Sequence, residues 1–363
     1  MLSVFSSPGR YVQGPDATES LGTELKYLGF RGPVVIVASN SAARQLADTW
    51  KKSLSQHGIN FIVHTFPGEC TADEVERIAD TARASTCDAI VGAGGGKVID
   101  AARAAAAILD IGFVSAPTLA SSDAPCSALS VIYNPDGTVS EYRVFKRNPD
   151  LVLVDTKVVA RAPARLLIAG MGDALATWFE ARTCAAGKVK NMRGGASTRS
   201  ALALAELCFK TLMADGVDAA GAVSKQQVNP ALERLVEANT LLSGLGFESS
   251  GLAAAHAVHN GLTVMPGTRD FYHGEKVAFG VLVQLKLENT PAQEFNEVLN
   301  FSRRVGLPTN LAAIGIKAPS HADLMRIAER TCAPGETIHN EPFKVTPEIL
   351  VDAIRAADAA GSV

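Results

Sequence analysis

Five short runs of apolar and β-branched residues mark the first part of the chain: VVIVA (34–38), FIVHTF (61–66), AIVGAG (89–94), GFVSAP (112–117) and LVLVD (151–155). Stretches with helical character separate them, and strands that alternate with helices build a parallel sheet covered on both faces. After Pro163 the texture changes. Apolar residues now recur at helical spacing through LLIAGMGDALATWFEA, ALALAELCFKTLM, ALERLVEANTLLSG and KVAFGVLVQLKLEN, which predicts a helical second half. At 363 residues the chain is longer than one core usually grows. The predicted division is therefore an α/β domain over 1–162 and an all-helical domain over 163–363, meeting at the short turn APAR.

Composition narrows the class of partner. Hydrophobic residues make up 47% of the chain and charged ones 20%, with a net charge of −3 and both signs interleaved. There is no basic field for nucleic acid and no polybasic patch for anionic lipid, so a small neutral or weakly charged ligand is expected. The stretch MLSVFSSPGRYVQG has no basic run followed by an apolar one, and no apolar segment is long enough to span a bilayer; a cytoplasmic location is expected. Cysteines 70, 87, 126, 184, 208 and 332 lack CxxC spacing, which argues for reduced thiols rather than a zinc knot or a disulfide framework.

The segment DAIVGAGGGKVIDAARAAAAIL reads as a buried strand, a glycine cluster and an Ala-rich helix. Glycines let backbone amides approach an anion, and a helix start adds partial positive charge, so Gly94, Gly95 and Gly96 suit a pyrophosphate. The string is neither the usual dinucleotide fingerprint nor a Walker loop, since Lys97 stands where a third Gly would and no Ser or Thr follows it. A tight turn without ligand is the competing reading. Asp100 serves equally as a first-turn acid or as a polar anchor for a cofactor.

In the helical half, Asp173 in GMGDALATWFEA, His256 in AAAHAVHNG and His273 in FYHGEKVAFG supply one carboxylate and two imidazoles. Such a set, with a position left open, suits a catalytic divalent cation that lowers the pKa of a bound alcohol and prepares hydride transfer to a nicotinamide. Each residue also has a plainer explanation. Asp173 could cap a helix, His256 could be a core histidine, and His273 could sit at a helix start. His259 shares a face with His256.

These segments, with APTLASSDAPCSALSVIYN (116–134), GFESSGLAAAHAVHNGLT and GETIHN, are similar in order and content to the polyol-oxidising branch of the iron-containing alcohol dehydrogenase superfamily. The resemblance covers nearly the whole chain. It implies a dehydroquinate synthase-like fold: an N-terminal dinucleotide-binding α/β domain, an all-helical C-terminal domain that binds metal and substrate, and the active site between them. It implies Asp173, His256 and His273 as ligands of one divalent ion, zinc in the glycerol enzymes and iron in some relatives. Asp123, otherwise a turn residue in SSDAP, matches a group that faces the substrate hydroxyls. His259 matches a supporting histidine near the metal. Cofactor contacts implied are Gly95, Gly96, Lys97, Val98, Ile99, Asp100, the loop Thr118, Leu119 and Ser121, then Ser127, Leu129 and Tyr133. The activity implied is reversible oxidation of glycerol or a similar vicinal diol to dihydroxyacetone or its analogue, with NAD as hydride acceptor and a homo-oligomer, dimer to octamer, as the assembly.

One departure concerns the cofactor. Many members carry an Asp after the first of these strands to hold the adenosine ribose, whereas here Ser39-Asn40-Ser41 is followed by Arg44. An acid repels a 2′-phosphate, Ser permits one and Arg can pair with it, so weaker discrimination against NADP is expected. Two rivals remain: a dehydrogenase of hydroxycarboxylates, polyol phosphates or primary alcohols, and a binding protein that keeps the fold without turnover.

Overall fold

The computed structural model describes residues 1–362. They form two compact units, one of residues 7–163 with 222–244, the other of 1–6, 164–221 and 245–363. Residues 222–244, helical by periodicity, thus cluster with the α/β unit.

The α/β unit is organised by a six-stranded sheet of β1 (Tyr11–Gly14), β2 (Val34–Ala38), β3 (Phe61–Thr65), β4 (Ala89–Gly94), β5 (Gly112–Pro117) and β8 (Leu151–Asp155). The spatial order is β1-β8-β5-β4-β2-β3 and every pairing is parallel. Helices α1 (Leu21–Tyr27), α2 (Asn40–Ser55), α3 (Ala72–Ala84), α4 (Gly96–Leu109) and α5 (Thr156–Ala160) supply connections. Both faces of the central strands are buried, which is why they read as unbroken apolar runs. Val35, Val37 and Ile90 pack with Val75, Ile78 and the alanines of α4, while Val34, Ile36, Ala89 and Val91 face Leu46, Trp50 and Leu54. Three strands escaped the sequence pattern. β1 is short and sits at an edge, and β6 (Leu129–Tyr133) with β7 (Val139–Val144) forms a separate antiparallel hairpin.

No strand follows β8 among the described residues. The helices are α6 (Ala164–Gly187), α7 (Arg199–Ser224), α8 (Pro230–Glu237), α9 (Ser243–Ser250), α10 (Ala254–Leu262), α11 (His273–Leu287), α12 (Ala292–Val305), α13 (His321–Thr331) and α14 (Pro347–Gly361). A π-helical turn, Ala238–Leu242, joins α8 to α9. None of the described helices is long and apolar enough to cross a membrane.

Within the helical unit, α11 packs against α6 and α10 with almost no side chain between the backbones. A Cβ on Gly274 would stand 1.8 Å from the Ala169 carbonyl oxygen, one on Gly172 2.2 Å from that of Gly274, and one on Gly280 2.3 Å from that of Ala255. Each contact adjoins a candidate ligand: Gly172 precedes Asp173, Gly274 follows His273, and Ala255 precedes His256. Gly274→Ala should therefore cost about 1–3 kcal/mol by overpacking. Gly221→Ala on α7, where an added methyl meets nothing within 4 Å, should be neutral or slightly stabilising. Urea unfolding of both variants checks this, and a Gly274→Ala midpoint equal to that of Gly221→Ala would contradict the contact.

Candidate metal and cofactor centre

Asp173 lies well inside α6, which begins at Ala164, so it is not a helix cap. Its side chain is 1% exposed. His256 falls in the first turn of α10 and His273 opens α11. The cap of α11 belongs to Tyr272 and Glu275, whose carboxylate accepts the Tyr272 amide at 2.7 Å. Asp173 Oδ1 is 3.3 Å from His256 Nε2 and 3.1 Å from His273 Nε2, and the three donor atoms lie within 4.8 Å of one another. Tetrahedral ligands with bonds of about 2.0 Å stand about 3.3 Å apart, so this donor set fits one small divalent cation. Against its burial, the imidazoles of His273 and His256 hold the Asp173 carboxyl well below the ordinary carboxylate range.

The outer nitrogen of each imidazole is engaged. His273 Nδ1 is 3.1 Å from His259 Nε2, and His259 Nδ1 is 3.1 Å from Asn260 Oδ1. Asn260 Nδ2 donates to Glu336 Oε2 at 2.9 Å, which leaves Asn260 Oδ1 to accept from His259. His259 Nε2 is then the acceptor and His273 Nδ1 the donor, and His273 Nε2 is the ring nitrogen turned toward Asp173. Burial, with His273, Lys276 and His256 nearby, drives the His259 pKa well down and keeps it neutral. On the other side, Glu180 Oε2 meets His256 Nδ1 at 2.6 Å. Burial opposes a charge on His256, but Glu180 and Asp173 raise its pKa well above the usual value.

α10 starts with Ala253 at its cap, a residue with no capping group. Side chains from elsewhere satisfy the amides instead: Glu180 Oε1 accepts those of Ala253 and His256 at 2.8 and 3.0 Å, Glu341 Oε1 that of Ala254 at 3.2 Å, and Gln284 Oε1 that of Ala255 at 3.0 Å.

In the α/β unit, the chain runs from β2 outward to β3 and from β4 to β5 in the opposite direction. The switch point, where ligands of open parallel sheets bind, lies beyond the carboxyl ends of β2 and β4. Ser39 stands at the first of these ends, caps α2 by accepting the Ala42 amide, and donates its own amide to Ala93. Gly95 and Gly96 stand at the second, where no side chain caps α4. Thr118 bonds back to the Gly94 carbonyl, and Leu119 lies 3.5 Å from the position of a Cβ on Gly95. Lys97 Nζ pairs with Glu69 at 2.6 Å and lies 4.8 Å from the centre of the Tyr133 ring.

Val98, Ile99 and Asp100 continue into the buried part of α4. Asp100 accepts from Arg103 at 2.7 Å and from the Val131 amide at 3.2 Å. Burial pushes its pKa up to about 6 in spite of Arg103. Arg103, itself buried, also donates to the carbonyls of Ala124 and Leu129. It thereby pins the segment carrying Ser127 and Leu129. The π-helical turn braces the neighbouring loop: Asn239 donates to the Ala120 carbonyl at 3.0 Å, and Ser243 bonds Asp123 at 3.2 Å.

Residues 8–156 match the sequence pattern of the family described as iron-containing alcohol dehydrogenase. The chain is 49% identical to a glycerol dehydrogenase of Escherichia coli O6:H1 and 51% identical to one of Pseudomonas putida, covering 99% of this chain and 98% of each relative. A crystal structure of a probable glycerol dehydrogenase from Sinorhizobium meliloti 1021 superposes with a TM-score of 0.91 at 41% identity, over 99% of both chains.

The chain belongs to the iron-containing alcohol dehydrogenase family.

For a member of that family, the residues that sequence reasoning missed are Glu180 behind His256, Gln284 and Glu341 at the first amides of α10, and Arg103, Asn239 and Ser243 behind the loops. One signal was present: Glu180 follows Asp173 by seven residues, about two helical turns, and so shares its face.

Glu341 generates a test of its own. Burial, and the carboxylates of Glu288 and Glu180, push its pKa from 4.5 up to about 8. The folded state therefore holds a proton that the unfolded chain releases near pH 4.5. The resulting stabilisation is complete below that pH and is lost as pH rises through about 8. Between pH 6 and 9 the native chain should lose about 1–3 kcal/mol more stability than Glu341→Gln, measured by urea unfolding at both pH values. Parallel slopes for the two proteins would refute the assignment.

Proposed function

We propose that this chain reversibly oxidises the secondary hydroxyl of glycerol, or of a similar vicinal diol, to a hydroxyketone such as dihydroxyacetone, with NAD as hydride acceptor. The observation that carries the reading is the convergence of Asp173, His256 and His273 within 4.8 Å, in a chain about half identical to glycerol dehydrogenases along its length. A zinc ion is assigned to that donor set, which suits its preference for nitrogen and oxygen ligands with one position open. The assembly assigned is a homo-oligomer in the cytoplasm.

When bound, a divalent cation there lowers the pKa of a substrate hydroxyl, and NAD supplies the hydride acceptor. The chain's residues do the positioning. Asp173 Oδ1 and the Nε2 atoms of His256 and His273 would hold the ion, carried on three helices rather than on loops. Asp123, steadied by Ser243, is assigned to accept a hydrogen bond from the second hydroxyl of the diol and so to favour vicinal diols over simple alcohols. The amides of Gly95 and Gly96, at the start of α4, are assigned to the pyrophosphate. Ser127, Leu129 and Tyr133 are assigned to the nicotinamide side, and Arg103 and Asp100 hold their segment in place.

Metal content measured alongside rates on glycerol, 1,2-propanediol and dihydroxyacetone tests the reading. Chelation should abolish turnover and added zinc restore it, and Asp173→Asn should lower kcat/KM by about a hundredfold or more, as loss of several kcal/mol demands. Full turnover of metal-stripped protein would end the proposal.

The end of β2 gives a second expectation. Ser39 and Ser41, whose hydroxyls lie 3.2 Å apart, place no carboxylate there to repel a 2′-phosphate. The preference for NAD over NADP in kcat/KM should therefore stay below about a thousandfold, roughly 4 kcal/mol. Steady-state kinetics with both cofactors decides it, and a larger ratio would show that another group excludes the phosphate.

A further inference from the structure

We infer that Glu180 is a positioning residue for the metal: by holding the proton of His256 on Nδ1, it keeps the Nε2 lone pair aimed at the ion. The inference rests on the ligand assignment above and adds a residue that touches neither substrate nor ion. Glu180 is fully buried, yet it lies on the same face of α6 as Asp173. Its Oε1 is occupied by the amides of Ala253 and His256, and its Oε2 by His256 Nδ1. The two amides can only donate, and a carboxylate, which accepts on both oxygens, leaves Nδ1 to donate as well.

The geometry makes a Gln at this position informative. A carboxamide carries one acceptor and one donor group. If its oxygen turns to the amides of α10, its NH2 meets Nδ1, and His256 can accept only by moving its proton to Nε2, where it blocks the ion. If its oxygen turns to Nδ1, the NH2 faces two backbone donors and α10 loses the bonds that set its first turn. Either orientation displaces His256 as a ligand. Removal of a group that orients a metal-bound histidine typically weakens metal binding about 10- to 100-fold.

Zinc affinity of the full-length protein, measured by competition with a chromophoric chelator, and the visible spectrum of the cobalt-substituted protein read this out without turnover. Glu180→Gln should bind zinc at least about tenfold more weakly than the native chain and shift the cobalt bands, while its far-ultraviolet circular dichroism stays native. Affinity within twofold, with an unchanged cobalt spectrum, would overturn the inference. Should Glu180→Gln fail to fold, the same question is put to the native zinc-loaded protein. Nitrogen resonances of its His residues, with His256 identified by substitution, should show Nδ1 protonated and Nε2 metal-bound, and the opposite tautomer overturns the inference. The two readings fail separately. A native chain that takes up no zinc defeats the ligand assignment itself, whereas native uptake with an indifferent Glu180→Gln defeats only the role of Glu180.

Discussion

A carboxylate buried from water needs positive partners close at hand, since an unpaired ion in a protein interior costs several kcal/mol even after relaxation. Asp173 is such a group, and the helical unit is arranged around it. The imidazoles of His256 and His273 approach its Oδ1 from two other helices, so the beginnings of α10 and α11 meet around one residue of α6. A divalent cation placed among the three would answer the same requirement.

That requirement explains why the helices carry so little side-chain bulk where they meet. Donor atoms about 3 Å apart demand that their parent backbones lie close, and Gly172, Gly274 and Gly280 provide the room. Mutual approach of backbones places ligands more rigidly than long side chains would, because less rotamer freedom must be lost. The α/β unit follows a different logic. There the backbone itself supplies the binding groups, at the carboxyl ends of β2 and β4, and buried polar residues such as Arg103 and Asn239 hold the loops by their carbonyls.

The central strands and the glycine turn were legible because their information is local. A strand buried on both faces must be apolar throughout, and VVIVA or LVLVD can hardly be anything else. The three candidate ligands were legible only as residue types, each with a local alternative that no spacing argument removes; resemblance to a family selected among them. Capping was the alternative for Asp173, and it fails because α6 starts at Ala164. The polar support was not legible. Nothing in the run Ala253 to His256 tells how its amides are satisfied, and the groups that do so come from α6, α11 and a segment near residue 341. β1 and the β6–β7 hairpin were missed for a related reason, since edge and paired strands with exposed faces lack the continuous apolar signal of a central one.

The divided support of the two imidazoles has a further consequence for how the centre is tuned. His256 leans on a carboxylate at 2.6 Å, whereas His273 leans on a neutral imidazole at 3.1 Å. A charge-assisted bond transfers more electron density to the ring than a neutral one does, so His256 should be the stronger donor and His273 the weaker. His273 is also the more exposed of the two, at 42% against 12% of its side chain. His256 is therefore held more firmly, on the buried side by Glu180, and His273 stands nearer solvent. An ion bound by these residues would be held from within by His256, with His273 freer to adjust.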